Sequence, residues 1–238
     1  MKQGIHLNDM KQYLQKTFFI VLIFLGATSF IYGQDETVSE LSRQYAIGQW
    51  HVRLKKAEGE NKTEYLFNPG YLLANFQAPD SKEIIKDKRF RLNLRTSKLF
   101  FQNENNEEME VVSPIKKIEF IPQEGNTSTV IFERGFSPAD KFYQVLVSGK
   151  ASLLLDTKFV EGKDFAYGGT AETHIDKETE YYGASGTTTV KLSKTEAILQ
   201  LMTDKTQEIT DYIKKEKIKV KNTDDLVKVF TYYNSIAK

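Results

Sequence analysis

Between residues 49 and 190 the chain consists of short runs in which apolar and polar residues alternate, separated by turn residues. The stretch FRLNL at residues 90–94 is typical, because its first, third and fifth residues fall on one face of an extended strand. These runs follow one another at near-regular spacing, with no amphipathic helix between them. The pattern predicts an antiparallel β-meander, either curled as an open barrel or packed like a sandwich.

Two hairpins are marked by glycine-containing turns. Ser148-Gly149-Lys150 separates the strand-like runs at residues 142–147 and 151–155, and Glu124-Gly125-Asn126 separates two runs further upstream. Short loops of this kind connect antiparallel neighbours. The sequence therefore predicts two antiparallel pairings at these turns.

At Ser193 the hydrophobic period changes from two to between three and four. Ser193-Lys194-Thr195-Glu196 predicts a capping box at the start of a first helix, Asp204 to Gln207 predict the cap of a second, and Asn222 is expected to cap a third. One face of this last helix is apolar at Leu226, Val229, Phe230, Tyr233 and Ile236. The predicted fold class is α+β, a β-meander followed by two to three C-terminal helices.

The N-terminal region carries a targeting pattern. Residues 17–33, TFFIVLIFLGATSFIYG, contain no charged side chain and follow Lys11 and Lys16. Their strongly apolar part is much shorter than the roughly 20 residues that cross a bilayer core. A basic start, a short apolar core and small residues near its end predict a secretory signal peptide.

The signal peptide is expected to span residues 1–33, with cleavage between Gly33 and Gln34. Ala27-Thr28-Ser29 offers an earlier cleavage site, and an uncleaved membrane anchor is the alternative interpretation. We expect an exported protein located in the periplasm, in the cell envelope or outside the cell. No stable transmembrane span is expected after removal of the signal.

The rest of the chain divides by composition into three regions. Residues 34–48 form a polar N-terminal segment, residues 49–192 the β-rich body, and residues 193–238 a helical region expected to pack on that body. The formal net charge is +1. A nearly neutral chain has no global field to attract nucleic acid, so no nucleic-acid partner is expected.

No catalytic, cofactor-binding or metal-ligating constellation is found in the sequence. Cysteine is absent, which excludes disulfides, thiol nucleophiles and thiolate metal sites. His51 and His174 do not lie at metal-ligand spacing, and Gly183-Ala184-Ser185-Gly186 lacks the GxSxG pattern of a serine nucleophile. We therefore predict no cofactor and no catalytic residue, although the many carboxylates leave a paired-acid hydrolase open.

Tyrosines on predicted strands form a candidate ligand or partner surface. Tyr143, Tyr181 and Tyr182 lie in or beside strand runs, where alternation directs some side chains outward. Exposed tyrosines bind carbohydrates and small molecules by stacking and by hydrogen bonds from the hydroxyl. Cross-strand aromatic packing is the alternative interpretation.

The C-terminal third resembles a group of exported proteins of Gram-negative bacteria whose function is uncharacterised. The resemblance rests on Tyr212-Ile213-Lys214-Lys215, Asp225-Leu226 and Tyr232-Tyr233-Asn234, which match a "YIK..K.K…DL…YYN" pattern. Residues 90–94 and the hairpin at 142–155 are similar to the same group. The resemblance implies export and a β-rich body with a helical C-terminal region, and it implies no catalytic residue and no substrate.

These observations favour an exported, non-enzymatic binding or structural-interaction protein. Its partner would be another protein, an envelope glycan or a small molecule. One alternative is a carrier of small hydrophobic ligands, with a β-barrel cavity lined by Phe90, Leu92, Leu94, Phe120 and Phe132. The other is a carboxylate-dependent hydrolase.

Overall fold

The computed structural model describes residues 43–47, 50–57, 62–79, 81–82, 84–103, 105–123, 128–164 and 172–237. The predicted signal peptide and its cleavage site at Gly33 and Gln34 lie outside these residues. Most of the predicted polar segment also lies outside them, but residues 43–47 of that segment form a strand.

Twelve strands of the described residues form one sheet, and every neighbouring pair from the second strand to the twelfth is antiparallel. The sheet is not closed on itself. The predicted antiparallel, open β-region is thus confirmed. The strands are β1 (Arg43–Ile47), β2 (Trp50–Lys56), β3 (Leu72–Gln77), β4 (Ile84–Asn93), β5 (Lys98–Gln102), β6 (Glu108–Val111), β7 (Lys117–Phe120), β8 (Val130–Glu133), β9 (Tyr143–Val147), β10 (Ser152–Asp164), β11 (Glu172–Ser185) and β12 (Thr188–Lys191).

The strand order departs from a simple meander at two places. It runs β1-β2-β6-β5-β4-β3-β7-β8-β9-β10-β11-β12, so that β6 pairs with β2 and β3 pairs with β7. The four strands β3 to β6 are therefore inserted in reverse order between β2 and β7. From β7 onward the order is sequential, and both predicted hairpins, β7–β8 and β9–β10, are formed.

The first half of the sheet encloses one hydrophobic cluster. Its phenylalanines pack edge to face, with ring centroids 5.3 Å apart for Phe76 and Phe90 and 6.1 Å apart for Phe120 and Phe132. Phe67, from the segment between β2 and β3, lies 5.2 Å from Phe120 and 5.0 Å from Phe132. The alternating residues of β3, β4, β7 and β8 therefore face a shared core, as their pattern predicts.

Three helices follow the sheet, in agreement with the predicted fold class: α1 (Thr195–Leu201), α2 (Thr206–Glu216) and α3 (Thr223–Ile236). Short 3₁₀ turns lie at Thr63–Tyr65 and Thr203–Lys205. The helices share a second hydrophobic cluster with β10, in which Ile198, Phe230 and Leu153 are fully buried. None of the helices in the described part of the chain is long and apolar enough to cross a membrane.

Only one of the three predicted helix caps is formed. Asn222 accepts a hydrogen bond from the Asp225 backbone N–H at 3.0 Å. The predictions for Ser193 and for Asp204 were wrong, because α1 and α2 begin after Lys194 and Lys205, neither of which makes a side-chain cap. Tertiary contacts compete for Asp204, whose carboxylate accepts hydrogen bonds from Lys150 and Tyr233 instead.

Candidate functional site

A cleft of about 440 Å³ opens at one end of the sheet. Antiparallel pairing brings the end of β3, the start of β7 and the end of β8 to this end of the sheet. The cleft lies beside the connections that follow β3, precede β7 and follow β8. Its apolar lining comes from Pro79, Pro114, Ile115 and Ala139.

Backbone hydrogen bonds continue the ladder beyond the strand ends and hold the cleft walls. The Lys116 N–H donates to the Gln77 carbonyl at 2.8 Å, and the Arg134 N–H donates to the Lys116 carbonyl at 2.8 Å. Gly135 then turns the chain with a φ of +101°, a conformation that side-chain-bearing residues rarely adopt. Its N–H donates to the Ala139 carbonyl at 3.2 Å, which closes the loop on one side of the cleft.

Arg134 is the partly buried charge of this cleft. Its guanidinium carbon lies 3.9 Å from the centroid of the Phe142 ring, and Phe142 is itself buried. The Nη2 atom donates a hydrogen bond to the Ser97 carbonyl, and Nε is buried without a hydrogen-bond partner. Burial lowers the pKa of Arg134, and the nearby negative charge of Asp140 partly offsets this effect. An arginine remains cationic under such conditions.

Two further charges line the cleft, and both are exposed. Lys116 stands on the β7 side and Asp140 on the β8–β9 loop. With Arg134 they leave two cations and one anion, a net charge of +1 for the cleft. The cleft therefore combines apolar walls with a few polar groups, as small-molecule sites commonly do, and it carries a small positive surplus.

The structure separates the three tyrosines that the sequence singled out. Tyr143 and Tyr182 lie on the sheet face opposite the helices, with ring centroids 5.5 Å apart. Tyr181, the neighbour of Tyr182, points to the other face, packs against the helical cluster and hydrogen-bonds to Thr223. Tyr143 is only 1% exposed. Cross-strand packing thus describes the Tyr143–Tyr182 pair, while a ligand surface formed by these residues stays a prediction.

An ionic network surrounds this tyrosine pair. Asp156, 3% exposed, accepts from Lys141 at 2.5 Å and lies 3.2 Å from Lys158. Glu180 pairs with Lys191 at 2.5 Å, and the Tyr182 hydroxyl donates to Glu180 at 2.9 Å. Each carboxylate has a cationic partner, so this face is a satisfied structural network.

Alkaline pH should destabilise the protein partly through Tyr143. Burial, followed by the negative charges of Asp156, Asp140 and Glu180, raises the pKa of Tyr143 from 10.0 to about 12. Folding favours the neutral hydroxyl, so this stabilisation is complete below the unfolded-state pKa and is lost as pH rises through the folded-state pKa. In Tyr143→Phe, the fall in unfolding free energy from about pH 8 to about pH 11 should be smaller by about 1 kcal/mol.

Urea denaturation of both proteins across this pH range tests the prediction. Loss of the 2.8 Å hydrogen bond from Tyr143 to the Ser137 carbonyl should offset the variant by a constant amount below about pH 8. Parallel curves for the two proteins throughout the alkaline range would contradict the assignment.

The histidines and the glycine-rich turn that the sequence analysis considered for catalysis or metal binding lie on or beside strands of the sheet. Among the described residues, no group of three or more histidine, aspartate or glutamate side chains is placed to hold a metal ion. His174 lies opposite Gly162 on the β10–β11 hairpin, 3.2 Å from Asp176. Gly183 and Ala184 are buried in β11, and Gly186 lies in the turn that follows. The side chain of His51 lies outside the description.

Sequence reasoning missed the cleft because its residues come from three separate parts of the chain. Pro79, Pro114 and Arg134 each look like ordinary turn or strand-end residues. The available local signal was Arg134-Gly135, a charge and a turn residue directly after the apolar run of β8. Comparison of the chain with family models, curated proteins and solved structures finds no match.

Proposed function

We propose that the protein is an exported, non-enzymatic binding protein and that it takes its ligand in the cleft beside Arg134. The observation that carries the proposal is the combination of about 440 Å³ of space, apolar walls and one partly buried cation. Pockets of this size, largely apolar with a few polar groups, are the usual binding sites for small molecules.

The size of the cleft favours a small molecule over a glycan or a protein surface as the partner. The signal-like residues 17–33 support export to the periplasm, the cell envelope or the exterior. Binding rather than catalysis is favoured because the charged groups of the cleft are Arg134, Lys116 and Asp140, with no nucleophile and base placed together among its lining residues.

The cleft at the end of the sheet is a different place from the barrel interior in which the carrier hypothesis puts the ligand. The side chains expected to line a closed barrel belong instead to the first hydrophobic cluster, where Phe120 and Phe132 pack on each other and on Phe67. A ligand in that position would have to displace packed core. The end of the sheet offers space without that cost.

A fragment screen by amide NMR tests the proposal. The full chain would be expressed with its own N-terminus. A separate measurement, cell fractionation followed by intact-mass determination, tests export and cleavage after Gly33. Small apolar and polar fragments should shift the amide resonances of Gly135, Ala139 and Lys116 more than those of the helices.

A filled cleft provides the control. Ala139→Leu adds three carbons to a residue that lines the cleft and should weaken fragment binding, whereas Ala57→Leu makes the same change at the end of β2 and should not. If fragments bind both variants equally, or shift only resonances away from the cleft, the cleft is not the binding site.

A further inference from the structure

We propose that the ligand of the cleft is a small monocarboxylate with an apolar body, whose carboxylate pairs with Arg134. This inference rests on the proposed function, since it names the chemical class bound at the same site. It comes from a comparison of three arginines that share one arrangement, a guanidinium placed over an aromatic ring.

Two of these arginines have a carboxylate partner within the protein. Arg91 lies over Tyr71 at 5.2 Å and pairs with Glu108 at 3.2 Å. Arg95 lies over Tyr65 at 4.6 Å and pairs with Glu161 at 3.2 Å. In both, the ring supports one side of the guanidinium and a glutamate neutralises its charge.

Arg134 has the ring and lacks the carboxylate. It lies 3.9 Å over Phe142, closer than either of the other two pairs, and forms no ion pair within 4.0 Å with any acidic side chain in the described part of the chain. Its side-chain hydrogen bond goes to a neutral acceptor, the Ser97 carbonyl. A partly buried cation without a direct ion pair is costly, because the nearby Asp140 offsets its burial only in part, and an anion that entered the cleft would lower that cost.

The surroundings of Arg134 select the kind of anion. Lys116 and Asp140 are the other charged residues that line the cleft, so its net charge is +1, which matches a monoanion. Pro79, Pro114 and Ile115 offer apolar contact and few hydrogen-bond donors, which suits the body of a simple carboxylic acid better than a phosphate or a sugar.

The experiment compares phenylacetate with phenylacetamide, which has the same shape without the charge. Both would be titrated into the full-length protein while the amide resonances of Gly135, Ala139 and Lys116 are followed. Because hydrogen bonds to a charged partner are stronger than neutral ones, we expect phenylacetate to bind at least about tenfold more tightly. In Arg134→Gln that preference should disappear.

Arg95→Gln is the matched control, since it removes an arginine from the same ring-stacked arrangement outside the cleft. It should leave the preference for the acid unchanged. If Arg134→Gln fails to fold, two other measurements test the inference. One is the preference for phenylacetate over phenylacetamide in Arg134→Lys, and the other is phenylacetate binding to the wild type in the presence of inorganic phosphate. The lysine should reduce the preference, and phosphate should not displace the acid.

The outcomes separate the two proposals. Equal binding of the acid and the amide in the cleft, or stronger binding of phosphate, would overturn the carboxylate inference and leave the binding function standing. If only amide resonances outside the cleft shift, or if no fragment binds, both the proposed binding function and the carboxylate inference would be overturned. Selective binding of the acid that Arg134→Gln removes and Arg95→Gln retains would support both.

Discussion

Gly183→Ala is expected to lower the free energy of unfolding by about 2 kcal/mol, because it overpacks the contact between β11 and the helices. A Cβ atom at Gly183 would lie 2.3 Å from Cδ1 of Leu201 and 3.0 Å from Cζ of Phe230. Both distances are too short for carbon atoms in contact. Both side chains are buried, with Leu201 6% and Phe230 0% exposed, so neither can turn away from the new methyl group without disturbing its own packing.

A double-mutant cycle identifies the atoms responsible. Leu201→Ala alone should cost about 3 kcal/mol, because it leaves a cavity under α1. It also removes Cδ1, so Gly183→Ala should cost at least about 1 kcal/mol less in the Leu201→Ala background than in the wild type. Urea denaturation with constant m-values would give these differences.

Gly70→Ala is the matched control for this cycle. A Cβ atom at Gly70 would meet only Oδ1 of Asn68, at an ordinary contact distance of 3.5 Å. Its effect should remain within about 0.5 kcal/mol. If Gly70→Ala and Gly183→Ala had the same cost, or if the cycle showed no coupling, the close approach of Leu201 to β11 would not be the cause.

Asn234→Ala is the second substitution for which we expect a large effect. It should lower the free energy of unfolding by about 2 kcal/mol. Asn234 lies in α3 and its amide hydrogen-bonds the turn between β9 and β10. Oδ1 accepts from the Ala151 N–H at 3.0 Å, and Nδ2 donates to the Ala151 carbonyl at 2.9 Å. Ala151 is fully buried, so both backbone groups would lose their partner in a place with little access to water.

Gly149 makes this contact possible. A Cβ atom there would lie 2.3 Å from Nδ2 of Asn234, so the side-chain amide rests directly on the glycine. Ser235→Ala is the control, since Ser235 is exposed and its hydroxyl bonds only within α3, to the Tyr232 carbonyl. Chemical denaturation should show a shift in midpoint for Asn234→Ala several times that for Ser235→Ala. Equal shifts would mean that the amide contributes no more than a surface hydroxyl.

These contacts give the motif residues a structural role. Lys150, beside Gly149, lies 2.9 Å from Asp204, and the Tyr233 hydroxyl donates to the same carboxylate at 2.8 Å. The turn residues of the β9–β10 hairpin and the Tyr-Asn pair near the end of α3 therefore join the sheet to its helices. Tyr233 and Asn234, two of the residues on which the sequence resemblance rests, thus have a structural role that needs no ligand.

Residues 214–221, at and just after the end of α2, are rich in lysine, and their arrangement has a local structural explanation. Lys214 and Lys215 lie in the last turn of α2, where cations interact favourably with the helix dipole, and Lys217, the residue after the helix, has a φ of +53°. Ile218 and Val220 are half-buried against the helical cluster, and Lys219 and Lys221 are exposed.

Local patterns were sufficient for the elements of the fold. Alternation at residues 90–94 and the glycine turns at 124–126 and 148–150 predicted strands and hairpins that the structure contains. The apolar stripe of α3 predicted its buried face. These predictions succeed because periodicity and turn chemistry depend on neighbours within a few positions.

Strand order, helix caps and the cleft were decided by the tertiary structure. The pairings of β2 with β6 and of β3 with β7 join residues far apart in sequence, and alternation alone does not specify the partner of a strand. Asp204 has the composition of a cap and is bound instead by Lys150 and Tyr233. Arg134 becomes a candidate binding residue only because the folded sheet places it over Phe142, without a direct ion pair to an acidic side chain of the described residues, and beside apolar residues from two other connections.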